Sequence, residues 1–125
     1  THAYYIYPII LDVKNLKIKR SIIVKALRAE GLEGISEGYA NLHLLPLFQK
    51  KIAFGKQGFP WSSDICSREV SYKKGICPIA EDLHDNSLIS FEMCLFSLNK
   101  KELNLITNCF FKVWKNLKHL KKFNK

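Results

Sequence analysis

Residues 99–120 read NKKELNLITNCFFKVWKNLKHL, and this stretch decides what kind of fold the chain can adopt. Leu103, Ile106, Phe110, Val113, Leu117 and Leu120 recur at alternating three- and four-residue steps, the spacing of one helix face. Ile106, Phe110 and Val113 form a buried stripe that Leu105, Cys109 and Trp114 widen. Asn99 followed three residues later by Glu102 is the pattern of a capping box, so the helix has a defined start. A long helix with one apolar face must bury that face against another element.

The segments upstream supply such an element. Residues 88–93 are mostly apolar and follow Asn86-Ser87, which predicts a strand. Cys77-Pro78-Ile79-Ala80-Glu81-Asp82-Leu83 reads as the start of a short helix, with Pro78 at the first helical position and acids in the first turn. Residues 3–13 (AYYIYPIILDV) are aromatic and β-branched and predict another strand, with Pro8 favouring an edge position or a bulge. A charged connection over 14–19 leads to a helix over Arg20 to Glu30. Ile23, Leu27 and Glu30 fall at helical spacing there, Val24 lies on the same flank, and Gly31 follows as the C′ residue. Residues 32–36 return as a short strand. Residues 37–76 are irregular and punctuated by glycines, yet Phe48, Phe54, Phe59, Trp61 and Tyr72 are spread through them. Such aromatic content predicts an ordered loop, with one helical piece near 45–52, rather than a linker. The expected architecture is α+β: a two-layer domain over 1–125, with a short, mainly antiparallel sheet, helices packed on one face and a long C-terminal helix.

Composition narrows the function classes. The chain has 125 residues, with 20 Lys+Arg against 11 Asp+Glu, and is 47% hydrophobic. No apolar run approaches the ~18 residues of a membrane span, and the sequence starts without a signal-peptide core. It opens directly into a strand-like run, as a piece of a longer chain would. The net charge of +9 is concentrated at one end: Lys112, Lys115, Lys118, Lys121, Lys122 and Lys125 occupy the Lys-rich last stretch, 112–125, which has no acid. That end complements the negative pole of a helix dipole, and the even balance elsewhere argues against a nucleic-acid surface. Cys66, Cys77, Cys94 and Cys109 form no Cys-x-x-Cys pair and have no histidine at finger spacing. No zinc or other metal site is expected, and a reducing, cytoplasmic compartment is. Cys94 and Cys109 stand in apolar runs and are expected as buried thiols.

Self-contained catalysis has little support. There is no Gly-x-Ser-x-Gly elbow, no phosphate-cradling loop, and the adjacent carboxylates of Glu81 and Asp82 point in different directions on a helix. His43 is the most suggestive side chain, in the run Gly38-Tyr39-Ala40-Asn41-Leu42-His43-Leu44-Leu45-Pro46-Leu47-Phe48. Its imidazole can donate to a phosphate or sugar oxygen, or can be a partly buried ring that satisfies a loop carbonyl. His84 is expected as a solvated helix residue.

The order of segments resembles the C-terminal, small domain of DegT/StrS-type sugar aminotransferases, pyridoxal-phosphate enzymes of fold type I. Four stretches carry the likeness: Tyr4-Tyr5-Ile6-Tyr7-Pro8-Ile9-Ile10 as the entering strand, Arg20 to Gly31 with Leu32 as the leading helix, Gly38-Tyr39 with Leu42-His43 and Pro46-Leu47-Phe48 as the aromatic-histidine loop, and Cys77-Pro78-Ile79-Ala80-Glu81-Asp82-Leu83 as the Pro-x-Ala-Glu helix start. The strand after that helix departs from the family, reading Ser90-Phe91-Glu92-Met93 where Leu-Pro is usual. The resemblance covers residues 3–120. It implies transfer of an amino group from an amino acid, commonly glutamate, to a nucleotide-linked keto-sugar, or in some relatives sugar dehydration. It implies substrate contacts from His43 and Tyr39, with no catalytic or cofactor-binding residue in this chain. The lysine that holds pyridoxal 5′-phosphate would belong to a preceding large domain, and the full-length protein would be a homodimer. Phe59, Trp61 and Trp114 would be candidates for the surface on which the large domain docks. Two other readings remain: a stand-alone binding module, and a basic nucleic-acid module working through the C-terminal lysines.

Overall fold

The middle of the sheet is the strand Leu88–Phe91, hydrogen-bonded on both sides. In this computed structural model, which describes residues 5–64, 66 and 68–124, the elements are β1 (Tyr7–Ile10), α1 (Val13–Leu16), α2 (Arg20–Ala29), β2 (Ile35–Glu37), α3 (Pro46–Lys50), α4 (Pro78–Asp82), β3 (Leu88–Phe91), α5 (Lys100–Lys115) and α6 (Leu117–Leu120). Short 3₁₀ turns cover Leu42–Leu44, Met93–Leu95 and Lys121–Phe123, and a π-helical turn covers Leu83–Ser87. Two compact units result. One comprises the chain up to Tyr39 and from Leu83 onward; the other is Ala40–Asp82.

The first unit holds the sheet, in the order β1-β3-β2 with both pairings antiparallel. Tyr7 pairs with Phe91 and Ile10 with Leu88 on one side, while Ile35 pairs with Phe91 on the other. Pro8 therefore lies on an edge strand, where its missing N–H removes no necessary ladder bond. The first strand is shorter than the sequence suggests, and Ala3 and Tyr4 of its expected span lie outside the described residues. Ile9, Ile89, Phe91 and Ile35 project from one sheet face toward α2, whose Ile23, Val24 and Leu27 are fully buried. The opposite face carries Ser36 and Ser90, whose hydroxyls meet at 2.9 Å.

Helix α2 ends as its sequence predicts. Gly31, at φ +96°, stands where an L side chain would be strained. The Gly31 N–H donates to the Arg28 carbonyl, and the Leu32 N–H reaches back to the Leu27 carbonyl, the paired bonds of a Schellman motif. Leu27 and Leu32 are both buried and supply its apolar contact.

Helix α5 has the expected capping box: Asn99 Oδ1 accepts from Lys101 and Glu102 N–H groups, and Glu102 returns to the Asn99 N–H at 2.7 Å. The helix packs on α2. Val113 is buried, with Ile106, Phe110, Leu117 and Leu120 packed around the same core. The stripe is narrower than expected, since Leu105 is exposed. The helix also breaks at Asn116 instead of running unbroken to Leu120. Below it, Asn124 accepts from the Lys19 N–H at 2.8 Å and donates to the Lys17 carbonyl, fastening the C-terminal end to the turn before α2. Residues 14–19 are not a plain connection, because Asp12 caps the short helix α1 within them.

The second unit is mostly irregular, as expected of its glycine spacing, with α3 inside the anticipated 45–52 window. Its aromatic residues form a cluster. Trp61 meets Phe48 and Tyr72 edge-on, Phe48 lies 5.2 Å from Tyr72, and the Trp61 Nε1–H donates to the Tyr72 hydroxyl at 3.0 Å.

Replacing Leu27 with Ala removes a fully buried side chain at the helix–sheet contact. The expected loss is about 2–5 kcal/mol. The measurement is the urea unfolding midpoint of the full-length protein, followed by a probe within this unit. A loss below about 1 kcal/mol would contradict the assignment of α2 as the helix that seals the sheet.

Candidate functional site

His43 lies in the 3₁₀ turn Leu42–Leu44, just before Pro46 starts α3. Its side chain is only a tenth exposed, and its Nε2 sits 2.9 Å from Glu81 Oε1. The Glu81 carboxylate is buried at the start of α4 and is densely hydrogen-bonded. The Gly75 N–H donates to both of its oxygens, at 2.7 and 2.9 Å, and the Cys77 N–H approaches Oε1 at 3.4 Å. Burial pushes the Glu81 carboxyl up. The bonds from Gly75, His43 and Cys77 outweigh that push and hold it below the ordinary carboxylate value. On the other side of the turn, the Gln49 side-chain amide donates to the carbonyls of His43 and Tyr72. The same turn carries Asn41, buried, with an Oδ1 that has no partner among the described residues. Asp82, next in sequence to Glu81, is exposed. The two carboxylates therefore do not form a pair facing one site.

Tyr39 belongs to the first unit. Its ring is well exposed, and its side chain hydrogen-bonds with that of Tyr5, which raises the Tyr5 hydroxyl above its usual value. Its backbone N–H donates to His84 Nδ1 at 3.1 Å. His84 is half-buried in the π-helical turn, not a freely solvated helix residue. Gly38 is what allows this approach: at φ +64°, a Cβ there would come within 2.6 Å of the His84 carbonyl oxygen and 2.8 Å of its Nδ1. Arg20 completes the arrangement. Its Nη1 donates to the carbonyls of Leu83, His84 and Leu88, at 3.3, 2.6 and 3.1 Å, and its Nε lies 3.4 Å from Glu37. A π-helical turn leaves carbonyls without ordinary i→i+4 partners, and one guanidinium serves two of them, Leu83 and His84, together with the Leu88 carbonyl at the start of β3.

Tyr39 and His43 thus fall in different units, each with its own fixed contacts. The sequence singled out both but not their pairing with Glu81 and His84, nor the hold of Arg20 on the His84 carbonyl. Glu81 was visible only as a first-turn acid, and the spacing from His43 is 38 residues, too long for a local pattern. Among the described residues no group of His, Cys, Asp and Glu could hold a metal ion. Cys94, expected buried, is exposed, because the strand ends at Phe91 and the chain turns away through Met93–Leu95. Cys109 is half-buried, and its thiol meets the Glu30 carbonyl. No helix among the described residues is long and apolar enough to cross a membrane.

Comparison with known proteins gives two partial likenesses. The chain is 30% identical over 88 residues to an uncharacterized protein of Methanocaldococcus jannaschii, a match covering 70% of this chain and 21% of that protein. It is 29% identical over 70 residues to Spore coat polysaccharide biosynthesis protein SpsC of Bacillus subtilis, covering 56% of this chain and 18% of that protein. The matches span about a fifth of the length of these curated relatives. No family model and no solved structure matches the chain.

Two outcomes follow from the geometry. Gly38→Ala forces a side chain onto His84 in a strained backbone region and is expected to cost about 1–3 kcal/mol; denaturant titration that finds no loss would show the approach is not obligatory. Glu81 has a folded value below its unfolded one, so its contribution is complete above the ordinary carboxylate value of about 4.3. It is lost as pH falls through the lower folded value. Amide-exchange protection at Gly75 should therefore be flat near neutrality and decline in acid, and Glu81→Gln should abolish the acid-side slope.

Proposed function

We propose that the chain is the C-terminal, small domain of a pyridoxal-phosphate-dependent nucleotide-sugar aminotransferase of the DegT/StrS type. The observation that carries this reading is the likeness to a polysaccharide biosynthesis protein over more than half of the chain. The antiparallel sheet, with α2 and α5 layered on it, suits the small-domain role.

Among the described residues, the buried side chains do not fit this cofactor. Pyridoxal phosphate needs a sheltered lysine amine and an acid facing its ring nitrogen. Among the described residues, the buried polar or charged side chains are Asn41, Glu81, Ser87 and Ser90, with neither lysine nor aspartate among them. In this reading the cofactor, which supplies the electron sink for amino transfer, is held by a large domain elsewhere in the full-length protein. That protein would be a cytoplasmic homodimer. This chain would contribute a substrate contact from Tyr39 in the first unit and one from His43 in the second, and the exposed rings of Trp114 in the first unit and Phe59 in the second are candidate docking contacts.

The test uses the full-length protein, with glutamate as amino donor and a panel of nucleotide-linked keto-sugars. Tyr39→Ala is the informative variant because its ring is exposed and its removal leaves the backbone bond to His84 in place. The expected result is a KM for the keto-sugar raised about tenfold, equivalent to ~1.4 kcal/mol of binding, with the cofactor absorbance unchanged. A native polypeptide of about 14.5 kDa that binds no cofactor would overturn the reading.

A further inference from the structure

The contacts of Glu81 determine more than the position of His43. Both Gly75 and Cys77 present backbone N–H groups to this carboxylate, and such groups only donate. An ionised carboxylate only accepts, and the backbone N–H groups of Gly75 and Cys77, which can only donate, favour the ionised form of Glu81. The 2.9 Å contact at Glu81 Oε1 must therefore be filled by a proton on His43 Nε2. A neutral imidazole carries one ring proton, so Nδ1 is left with its lone pair.

We propose that Glu81 is a positioning residue that fixes His43 as the Nε2–H tautomer, so that the neutral ring meets its ligand through Nδ1 as a hydrogen-bond acceptor. The group it would recognise is then a hydroxyl, as on a sugar ring, rather than the ionised oxygen of a phosphodiester, which has no proton to offer. The Gln49 side chain, donating to the His43 carbonyl at 2.6 Å, holds the backbone of the same turn. The ligand half of this proposal rests on the substrate-contact reading of His43; the tautomer half does not.

The experiment is nitrogen-detected NMR on the full-length protein labelled at histidine, at a pH where His43 is neutral. The expected signal is a protonated Nε2 and a bare Nδ1 for His43, well separated in nitrogen shift. Glu81→Ala, with the near-ultraviolet circular dichroism of the Phe48–Trp61–Tyr72 cluster as the folding control, should return the ring to a mixture of tautomers. A proton on Nδ1 in the unsubstituted protein would overturn the proposal at once, whatever the fate of the variant. Two probes then separate the ligand classes. Methyl glucoside should shift the Nδ1 resonance, and dimethyl phosphate, an anion with no O–H, should leave it in place. A shift with dimethyl phosphate alone would overturn the acceptor assignment. No shift with either probe, with the Nε2–H signal intact, would overturn the ligand half and the substrate-contact reading together, while the assignment of Glu81 would stand.

Discussion

The Arg20 guanidinium ties together parts of the first unit that no helix or strand pairing could join. It begins α2, yet its donors reach carbonyls on the far side of the sequence, in the π-helical turn and in β3, and its Nε faces Glu37 at the end of β2. With its side chain only 12% exposed, it takes the place of water at carbonyls in and beside the irregular turn. The guanidinium divides the task between two nitrogens: Nη1 faces the three carbonyls while Nε is left for the Glu37 carboxylate, a second donor nitrogen that a lysine lacks. The π-helical turn, the β2–β3 pairing and the start of α2 all converge on this one side chain.

Glu81 solves the same problem in the second unit with the opposite charge. Residues 75–77 approach α4 outside any strand or helix, and one carboxylate collects two of their N–H groups and a histidine. Hydrogen bonds to a charged group are stronger than those between neutral partners, and here they hold a turn that has no ladder of its own. In both units an irregular backbone is kept in place by a single buried or nearly buried ion, whose charge is neutralised chiefly by backbone dipoles.

This explains what the sequence could and could not tell. The capping box at Asn99, the Schellman end at Gly31, the edge placement of Pro8 and the buried flank of α2 are local: each is written in residues three to seven apart, and each is present. The failures are also physical. Cys94 was assigned to an apolar run whose strand in fact stops at Phe91, and Leu105 faces outward because α5 buries only a narrow stripe. The candidate histidines were legible as residue types, but their roles depend on partners far off in sequence. His43 to Glu81 spans 38 residues and Tyr39 to His84 spans 45, distances at which no periodicity exists to read.

The chain passes between its two units twice, after Tyr39 and after Asp82, and a histidine contact flanks both passages on each side. Within the first unit the partners are Tyr39 and His84; within the second they are His43 and Glu81. The two rings engage in opposite senses. In the tautomer proposed for His43, its Nε2–H donates to the Glu81 carboxylate, whereas His84 Nδ1 accepts from the Tyr39 backbone N–H. One imidazole thus serves a carboxylate and the other a backbone amide. Each holds, within its own unit, the chain at both ends of the passages, so the irregular backbone there is fixed by side chains that adjoin it in space and lie far off in sequence.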